Sequence, residues 1–380
     1  MLRPARRLEG LGTSIFTEMT ALAQATGAIN LGQGFPDEDG PLEVIEAAHA
    51  AMLAGENQYA PLAGVPALRT AIAAHQRERY GLAHDPEREV LVTFGATEAI
   101  AAAMLALCDP GDEVVVLEPF YDSYAATIAF AGATRVPVTL RPPQFALDPD
   151  ELRAAVSPRT RVLLVNSPHN PTGRVLAAAE LVVFAEVCCE HDLVCLSDEV
   201  YEHLVFDGVH VPLATLPGMA ERTLTISSLG KTFSLTGWKV GWCCGPPDLV
   251  AAVRGVKQFL TFAGGTPLQH AAAAALLLGD APITALRDAL HRKRDRIAAG
   301  VWAAGLVPLV PQGTYFINVD VGEDAAAFCR ALPARCGIVG IPTGVFYDDP
   351  TAAPTLVRFA FCKRDAVIDE AAARLARGRR

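Results

Sequence analysis

A lysine with small, polar neighbours stands in the segment Ser228-Leu-Gly-Lys231-Thr. This segment is not a phosphate-binding P-loop, because that motif requires a glycine five residues before the second one and position 225 is threonine. The residues that flank the lysine, Ser228, Gly230 and Thr232, form a tight polar setting for an amine that would normally lie on the surface. Taken alone, Lys231 is weak evidence for catalysis, since a solvated loop cation also explains it.

Three other segments raise the significance of this lysine by their spacing. They contain Asn170, the pair Asp198 and Tyr201, and Lys239. Asn170 precedes Asp198 by 28 residues, and Asp198 precedes Lys231 by 33 residues. Together the segments resemble the fold-type I, class I aminotransferases that depend on pyridoxal 5′-phosphate. Ser228-Leu-Gly-Lys231, followed by Gly237-Trp-Lys239, resembles their attachment-site signature. The one departure is Lys239, which stands where that family commonly has arginine.

The resemblance implies three catalytic residues, Lys231, Asp198 and Tyr201. Lys231 corresponds to the amine that bonds to the cofactor aldehyde and then moves a proton between substrate and cofactor. Asp198 matches the carboxylate that keeps the cofactor's pyridine nitrogen protonated, and a helix cap is its alternative role. Asn170 and Tyr201 match the pair that hydrogen-bonds the cofactor's phenolic oxygen, although core packing also explains Tyr201.

A phosphate site is expected where Gly95-Ala96-Thr97 open an apolar helix, because backbone N–H groups at a helix start bind anions. By the same resemblance Ser228 and Lys239 supply a hydroxyl and a cation. Lysine in place of arginine keeps the charge and gives up bidentate geometry. Tyr121 corresponds to the aromatic residue that stacks on the cofactor ring, and Phe120 is the competing choice.

An arginine in the segment Leu356–Cys362 indicates an anion site without any family argument. The alternation of this segment puts Arg358 on one face of a strand and bulky apolar residues on the other. A buried, unpaired charge is costly, and the nearest acid in sequence is Asp365. We expect the guanidinium to bind a ligand anion bidentately; an edge position in solvent or an internal salt bridge is the alternative. The resemblance identifies that anion as the substrate α-carboxylate, with Gly34 and Asn170 completing the substrate site.

The resemblance covers nearly the whole chain, through Asn30–Asp37, Asn57–Pro61 and Gly313–Phe316. Tyr59 matches a tyrosine that crosses a dimer interface to the phosphate in the neighbouring subunit, whereas a surface tyrosine in a turn is the alternative. A homodimer with shared active sites is therefore expected. His169 is the histidine expected in the cleft, with a positioning role rather than proton transfer.

Seven short β-branched runs alternate with alanine-rich, helix-like stretches, which is the pattern of βα units in a mainly parallel sheet. The predicted strands are Val90–Phe94, Glu113–Leu117, Arg135–Leu140, Arg161–Asn166, Leu193–Ser197, Thr223–Ser227 and Val240–Cys244. Ligands of open α/β sheets bind beyond the carboxyl ends of the strands. The loops that follow these strands should therefore meet in one cleft.

We predict an α/β protein of the PLP-transferase fold type I, with a seven-stranded, mainly parallel sheet flanked by helices. Residues 41–280 are expected to form this large, cofactor-binding domain, and residues 1–40 with 281–380 a smaller α+β domain. A long helix is expected over about Pro247–Leu278 and a basic amphipathic helix over Ala285–Gly300. Strands are expected in Gly313–Val319 and Leu356–Cys362.

The composition argues against several classes of partner. The 380 residues carry 32 basic and 42 acidic side chains, a net charge of −10, which disfavours nucleic acid as a partner. The apolar runs are far shorter than the roughly 20 residues of a membrane helix, so no membrane partner is expected. Nine cysteines without a C-x-x-C pair indicate free thiols and no metal site. Because Glu9 and Gly10 interrupt any signal-like start, we expect a cytoplasmic protein.

The longer strings Gly32–Gly40, Ile226–Lys231 and Leu356–Asp365 most resemble the kynurenine, glutamine and methionine aminotransferase branch. Within it they resemble actinobacterial enzymes assigned to N-succinyl-diaminopimelate. The implied reaction transfers the amino group of an L-amino acid to a 2-oxo acid by a ping-pong mechanism. Candidate donors are N-succinyl-LL-diaminopimelate, kynurenine, methionine, glutamine and aromatic amino acids. A pyridoxal-phosphate-dependent cysteine-S-conjugate β-lyase is the alternative, and a cofactor-bound regulatory protein without turnover is a more distant one.

The donor's side chain is the part of the substrate that the sequence specifies least. A succinylated donor needs a second cationic contact, which the sequence does not place. An apolar or aromatic donor would instead use Ile15, Phe16, Tyr121 and Phe346, if these residues line the cleft. Both kinds of donor therefore stay open.

Overall fold

The computed structural model of the chain describes residues 5–8 and 15–378, so the expectation based on Glu9 and Gly10 lies outside the described residues. The α-helices are α1 (Ile15–Thr26), α2 (Leu42–Leu53), α3 (Pro66–Tyr80), α4 (Gly95–Leu107), α5 (Asp122–Ala131), α6 (Pro149–Ala154), α7 (Ala178–Glu190), α8 (Leu229–Thr232), α9 (Pro247–Leu260), α10 (Thr266–Leu276), α11 (Asp280–Ala303), α12 (Ala325–Cys336) and α13 (Asp365–Arg377). The strands are β1 (Ile29–Asn30), β2 (Val90–Phe94), β3 (Glu113–Glu118), β4 (Thr134–Thr139), β5 (Thr160–Asn166), β6 (Val194–Asp198), β7 (Thr223–Ser228), β8 (Val240–Cys244), β9 (Val307–Leu309), β10 (Phe316–Asp320), β11 (Ile338–Val339), β12 (Ile341–Pro342) and β13 (Leu356–Ala360).

A seven-stranded sheet in the order β2-β8-β7-β6-β5-β3-β4 forms the centre of the molecule. All neighbouring strands are parallel except the pairs of β8 with β2 and with β7. Each strand lies where the sequence predicts it, with ends that differ by no more than one residue. The predicted α/β fold with a mainly parallel sheet is therefore confirmed.

Helices cover both faces of this sheet, which explains why its inner strands are apolar on both sides. In β3, Val114 and Val116 pack with α4, α5 and α9, while Val115 and Leu117 pack with α7 on the other side. Side chains of a strand alternate between its faces, so one run of valines contributes to two cores. The sheet is thereby fixed, and the loops at its carboxyl ends are held in place.

A second, antiparallel sheet in the order β12-β13-β10-β9 lies among the C-terminal helices. Its residues share one core with α1, α11, α12 and α13. Near the N-terminus, β1 pairs in parallel with β11. This pairing joins a segment before residue 41 to one after residue 281. The division into two domains and its boundaries stay a prediction.

The predicted single helix over Pro247–Leu278 is wrong, because the chain forms α9 and α10 with a break between them. Gly264 and Gly265 lie in the break, and Phe262 has a positive φ of 62°. Pro267 then stands in the first turn of α10, where proline favours a helix start. The helix predicted over Ala285–Gly300 lies within the longer α11. No helix in the described ranges combines the length and apolarity that crossing a membrane requires.

Candidate active site

A cavity of about 370 Å³ lies at the carboxyl ends of the central strands. The loops that follow β2, β3, β5, β6 and β7 all contribute to its lining, as expected from the sequence. The predicted site residues that line it are Gly34, Gly95, Ala96, Thr97, Tyr121, Asn170, Asp198, Tyr201, Ser228, Lys231, Lys239 and Arg358. Tyr59 is the predicted site residue that lies outside this lining. The structure therefore brings together segments that are more than 300 residues apart.

Lys231 lies on the short helix α8, directly after β7. Its Nζ donates a hydrogen bond of 2.8 Å to the hydroxyl of Tyr315, which in turn donates to the carbonyl of Gly34 at 2.6 Å. Desolvation by burial lowers the pKa of Lys231 to about 8. A fraction of this amine is therefore neutral near pH 7 and able to act as a base or a nucleophile.

Asp198 ends β6 and is 5% exposed. Its carboxylate accepts hydrogen bonds from the Tyr124 hydroxyl at 2.5 Å and the Val200 backbone N–H at 3.3 Å. Desolvation nevertheless raises the pKa of Asp198 to about 6, against the opposing effects of these bonds and of the charge on Lys231. A cation placed beside this carboxylate would further favour its ionised form.

Asn166, the last residue of β5, connects Asp198 to Asn170 through hydrogen bonds. Its side-chain amide donates to the carbonyl of Asp198 at 2.8 Å, and its side-chain oxygen accepts from the backbone N–H of Asn170 at 2.7 Å. Tyr201 is buried, and its ring packs edge-on against Tyr315 with centroids 5.3 Å apart. Asn170 and Tyr201 thus line the cavity, and contacts with Asn166 and Tyr315 hold them in place.

The start of α4 forms one end of the cavity. Gly95 has a φ of +73°, and a Cβ added to it would lie 3.1 Å from Nζ of Lys239, so a side chain there would be strained and crowded. Lys239 itself reaches the Thr97 hydroxyl at 3.4 Å. Backbone N–H groups of a helix start, one hydroxyl and one ammonium therefore converge, and this donor set suits an anion such as phosphate.

Arg358 forms the opposite anion site and is 2% exposed on β13. Its guanidinium donates to Asn170 Oδ1 and to the Gly32 carbonyl, both at 3.1 Å, and lies 4.1 Å from the centroid of the Phe316 ring. Its Nε has no hydrogen-bond partner. Within residues 15–378 no carboxylate lies at ion-pair distance, so neither a solvent-exposed arginine nor an internal salt bridge describes it.

Desolvation lowers the pKa of Arg358 to about 10, so the guanidinium is still charged at neutral pH. Close to it, Gly34 has no room for a side chain, because a Cβ there would lie 2.6 Å from Phe316 Cζ. The backbone of Gly34 is therefore able to approach a bound ligand closely. These two residues define the end of the cavity that is suited to a carboxylate.

The aromatic walls agree only in part with the expectations from the sequence. Tyr121 lines the cavity, whereas Phe120 is buried below the guanidinium of Arg135, 5.3 Å from its ring centroid. Phe16 also lines the cavity. Ile15 does not, and Phe346 instead packs against Arg358, with 4.6 Å between the guanidinium carbon and the ring centroid.

His169 does not line the cleft, so its expected position there is wrong. The ring is 1% exposed, and its Nδ1 lies 2.8 Å from the Thr172 hydroxyl. Burial lowers the pKa of His169 to about 3, and the ring is neutral. Its contact with Thr172 stabilises the turn that contains Asn170.

Tyr315, Tyr124 and Asn166 are site residues that the sequence did not identify. Each contacts a predicted residue only through the fold, across 84, 74 and 32 positions of sequence respectively. Tyr315 lies in the segment Gly313–Phe316, one of those that resemble the family. This resemblance was the one feature of the sequence that could have identified it as a site residue. For Tyr124 and Asn166 the sequence offered only their places on a helix and at a strand end.

Tyr59 is 85% exposed, and its ring packs edge-on against Phe262 with centroids 5.6 Å apart. Phe262 is 41% exposed, and Phe259 close by is 85% exposed. These side chains form an apolar patch on the surface of a single chain. The role of Tyr59 at a neighbouring subunit stays a prediction.

Comparisons with known proteins agree with this geometry. Residues 26–375 match the family model described as aminotransferase class I and II. The chain is 53% identical to the probable N-succinyldiaminopimelate aminotransferase DapC of Mycobacterium tuberculosis, over 97% of both chains. It is 42% identical to the methionine aminotransferase of Escherichia coli, over 98% of both.

A solved structure extends the similarity to three dimensions. The N-succinyldiaminopimelate aminotransferase from Mycobacterium tuberculosis superimposes with a TM-score of 0.96 at 54% identity, covering 98% of this chain and 99% of that one. The structural similarity therefore extends over nearly the whole of both chains. A chain with this family match, over this much of its length, belongs to the class I and II aminotransferases and is an aminotransferase.

Proposed function

We propose that the cavity binds pyridoxal 5′-phosphate and that the enzyme uses it to move an amino group from an L-amino acid to a 2-oxo acid. One observation carries the proposal: Lys231 and Asp198 line the same cavity, with an anion site at each end. The cofactor and each substrate contain the groups that these residues complement. They are an aldehyde, a basic pyridine nitrogen, a phosphate and a carboxylate.

The residues present fit this cofactor by their own chemistry. The buried carboxylate of Asp198, with its raised pKa, lacks a cation in direct contact, which a protonated pyridine nitrogen supplies. Gly95, Thr97, Ser228 and Lys239 hold the phosphate with backbone N–H groups, hydroxyls and one ammonium. Asn170 and Tyr201 would donate to the phenolic oxygen, and Tyr121 would supply the aromatic face beside the ring.

When bound, pyridoxal phosphate supplies a ring that accepts the electron pair released as the substrate α-proton leaves. Lys231 Nζ holds the cofactor and later takes the proton from the substrate α-carbon. Its lowered pKa leaves part of the amine free for this task near neutral pH. Asp198 keeps the ring nitrogen protonated throughout, and Tyr315 fixes the direction of the amine through their 2.8 Å hydrogen bond.

The substrate is held by its α-carboxylate, bidentately at Arg358, with the backbone of Gly34 beside it. Asn170 occupies one donor of this guanidinium and leaves Nε free for the ligand. The donor's side chain then extends along the aromatic wall formed by Phe16 and Tyr121. Because Arg358 binds a group that all amino acids and 2-oxo acids share, the same site serves both halves of the ping-pong reaction.

Two observations favour different donors. The 53% identity to the M. tuberculosis relative favours N-succinyl-LL-diaminopimelate. In contrast, the cations that line the cavity already have roles in this proposal: Lys231 binds the aldehyde, Lys239 the phosphate and Arg358 the α-carboxylate. None of the three is left to bind a succinyl carboxylate. The rest of the lining therefore favours methionine, kynurenine, glutamine or an aromatic amino acid as donor. Initial rates for each donor with 2-oxoglutarate and with pyruvate decide between these groups. Release of ammonia without an added 2-oxo acid, from a cysteine S-conjugate, would indicate the β-lyase instead.

The active form is a homodimer with shared sites in this proposal. The exposed patch of Tyr59, Phe259 and Phe262 is suited to contact a second copy of the chain. Tyr59 of the partner subunit then donates to the cofactor phosphate. The nine cysteines are all free, seven of them buried, which supports the predicted cytoplasmic location.

Borohydride reduction tests the cofactor assignment directly. The purified protein, incubated with pyridoxal phosphate, should become yellow and lose that absorbance when borohydride reduces the bond between aldehyde and amine. Peptide mass spectrometry should then find the modified side chain at Lys231, and not at Lys239, which lies in the same cavity. A protein that stays colourless, or a modification on another lysine, would refute the assignment.

A further inference from the structure

A buried cluster of two histidines and one glutamate lies outside the cavity lining and has no part in the proposed reaction. His75 lies on α3, and Glu202 and His203 follow β6 in the segment that contains Tyr201. Their exposed fractions are 7%, 4% and 9%. One nitrogen or oxygen atom from each lies within 4.8 Å of the other two.

The two imidazole rings meet nitrogen to nitrogen. His75 Nε2 and His203 Nε2 are 3.0 Å apart, with the rings almost perpendicular at 89°. At this distance only one of the two nitrogens carries a hydrogen, so at least one lone pair points into the space between the rings. Glu202 Oε1 lies 3.9 Å from the same nitrogen of His203.

The glutamate carries a buried charge that hydroxyls and imidazoles of the protein surround. Its two oxygens accept hydrogen bonds of 2.6 Å each, from the hydroxyls of Tyr80 and Ser227. In the described part of the chain no lysine or arginine lies within ion-pair distance of Glu202, and His203 is its one basic neighbour at that range. A bound metal ion would place a full positive charge beside this buried carboxylate.

We propose that His75, Glu202 and His203 bind one divalent transition-metal ion, with Zn²⁺ as the best match. Two imidazole nitrogens and one carboxylate oxygen form a donor set that Zn²⁺ takes, with a water molecule as fourth ligand. Zn–N bonds of about 2.0–2.1 Å place ligand atoms of a tetrahedral site about 3.3 Å apart. The observed separations of 3.0 and 3.9 Å lie on either side of that value. None of the cysteines takes part, which is why the cysteine pattern predicts no metal site.

The position of the cluster indicates a structural role for the ion. Glu202 follows Tyr201 directly, and Ser227, which holds Glu202, precedes Ser228. An ion here joins α3 to the segment after β6 and, through Ser227, to β7, and both of these also contribute residues to the cavity. Around the ligands, Tyr80 already orients the carboxylate, as outer-shell groups do in metal sites. The site does not depend on pyridoxal phosphate and stands if the proposed cofactor assignment fails.

Metal titration of the tag-free holoenzyme, after removal of metals by a chelator, tests this proposal. Co²⁺ should bind with one equivalent and give the visible bands of a tetrahedral site, and Zn²⁺ should displace it. Crystals grown with Zn²⁺ should show one anomalous peak between residues 75, 202 and 203. Absence of stoichiometric binding overturns the proposal, as does a peak only in the catalytic cavity or at the exposed Cys189.

Variants separate the cluster from other metal-binding groups. His75→Gln and His203→Gln should each weaken Co²⁺ binding at least about 100-fold, since loss of an outer-shell partner alone costs about 10–100-fold. His191→Gln, at an exposed histidine elsewhere, is the matched control and should leave the titration unchanged. Unchanged binding in both cluster variants contradicts the proposal. If a variant does not fold, as judged by circular dichroism, the anomalous peak in the unaltered enzyme decides.

Discussion

Two carboxylates four residues apart, Asp198 and Glu202, illustrate how differently the two sides of one loop are built. Both are buried, with exposed fractions of 5% and 4%. Burial alone raises the pKa of either group. The pKa of Asp198 is raised to about 6, whereas that of Glu202 is lowered to about 2. The two carboxylates are thus almost equally buried, but their pKa values are shifted in opposite directions.

The difference comes from the neighbours that the chain supplies. For Glu202 the desolvation is outweighed by the adjacent His203 and His75 and by hydrogen bonds from Ser227 and Tyr80. Asp198 faces the cavity and receives two hydrogen bonds, which do not offset the desolvation. The side of the loop that faces the cavity thus has an unmet charge requirement, which is typical of a ligand site. On the other side, hydroxyls and imidazoles of the protein stabilise the charge of Glu202.

The largest expected effect comes from the cavity side. Lys231→Ala removes the one amine placed to take the substrate α-proton, and we expect kcat to fall by at least about 10³-fold. The variant should still bind pyridoxal phosphate, because the phosphate and ring contacts remain. Equilibrium dialysis and steady-state kinetics measure these two properties separately.

An added small primary amine provides the control for this variant. If the loss reflects the missing base, the amine should restore part of the rate in Lys231→Ala. Transamination at the unaltered rate without any added amine would contradict the proposed role of Lys231.

A pair of isosteric variants tests the comparison of the two carboxylates. Asp198→Asn keeps the hydrogen bond from Tyr124 and removes the charge, so kcat/KM should fall about 10²-fold, within the range for a lost electrostatic contact. Glu202→Gln should instead lower stability by about 1–3 kcal/mol, because buried donors lose a charged acceptor. Both are measured with chelator present, by kinetics and by denaturant unfolding. Equal losses of stability in the two variants would contradict the proposed difference between a ligand-binding Asp198 and a structural Glu202.

The stability of the cofactor-free protein should also depend on pH in opposite ways at these two sites. The pKa of Asp198 is raised on folding, so its contribution falls as pH rises from about 4 to about 6. The pKa of Glu202 is lowered, so its contribution is lost as pH falls from about 4.5 towards 2. Asp198→Asn should therefore stabilise the cofactor-free protein above pH 6.

The central sheet was predictable because its signals are local. Each strand is a short run such as Glu113–Glu118, with apolar residues between turn residues, and the rule on carboxyl ends then places the loops together. Helix ends were harder. The break between α9 and α10 depends on Gly264 and Gly265, which an alanine-rich periodicity did not reveal.

The site was predictable where a residue's own type reveals its chemistry and not where the fold creates it. An arginine on an apolar strand face indicates an anion site from sequence alone, and Arg358 is buried as that argument requires. Tyr315 has no such signal, because its hydroxyl gains meaning only from Lys231 on another element. The contact between His75 and His203 likewise joins residues 128 positions apart.

A conservative change at the substrate end sharpens the comparison further. Arg358→Lys keeps the positive charge and removes bidentate geometry, so KM for amino and 2-oxo acid substrates should rise about 10-fold or more. The effect on kcat should be smaller, since the α-carboxylate is bound equally before and during the reaction. Lys363→Arg, at a buried cation outside the lining, is the control. A fall in kcat at constant KM would exclude the role in binding.

The smallest effect should come from Tyr315→Phe, which removes a hydroxyl and keeps the ring. Without the 2.8 Å bond the amine of Lys231 loses direction, and kcat should fall about 3–10-fold, as for one lost hydrogen bond of about 1 kcal/mol. The same bond favours the charged form of Lys231, so its loss should lower the pKa of the amine below about 8.

These two consequences of Tyr315→Phe have opposite signs, which distinguishes positioning from damage to the fold. Capture of pyridoxal phosphate by the cofactor-free protein requires the neutral amine, so its rate near pH 7 should increase, and its pH profile should shift to lower pH. Turnover should decrease at the same time, because a neutral but misdirected amine is a poorer base. A merely disturbed cavity would slow both processes without moving the pH profile. That result would mean that Lys231 is directed by the cavity as a whole and not by Tyr315.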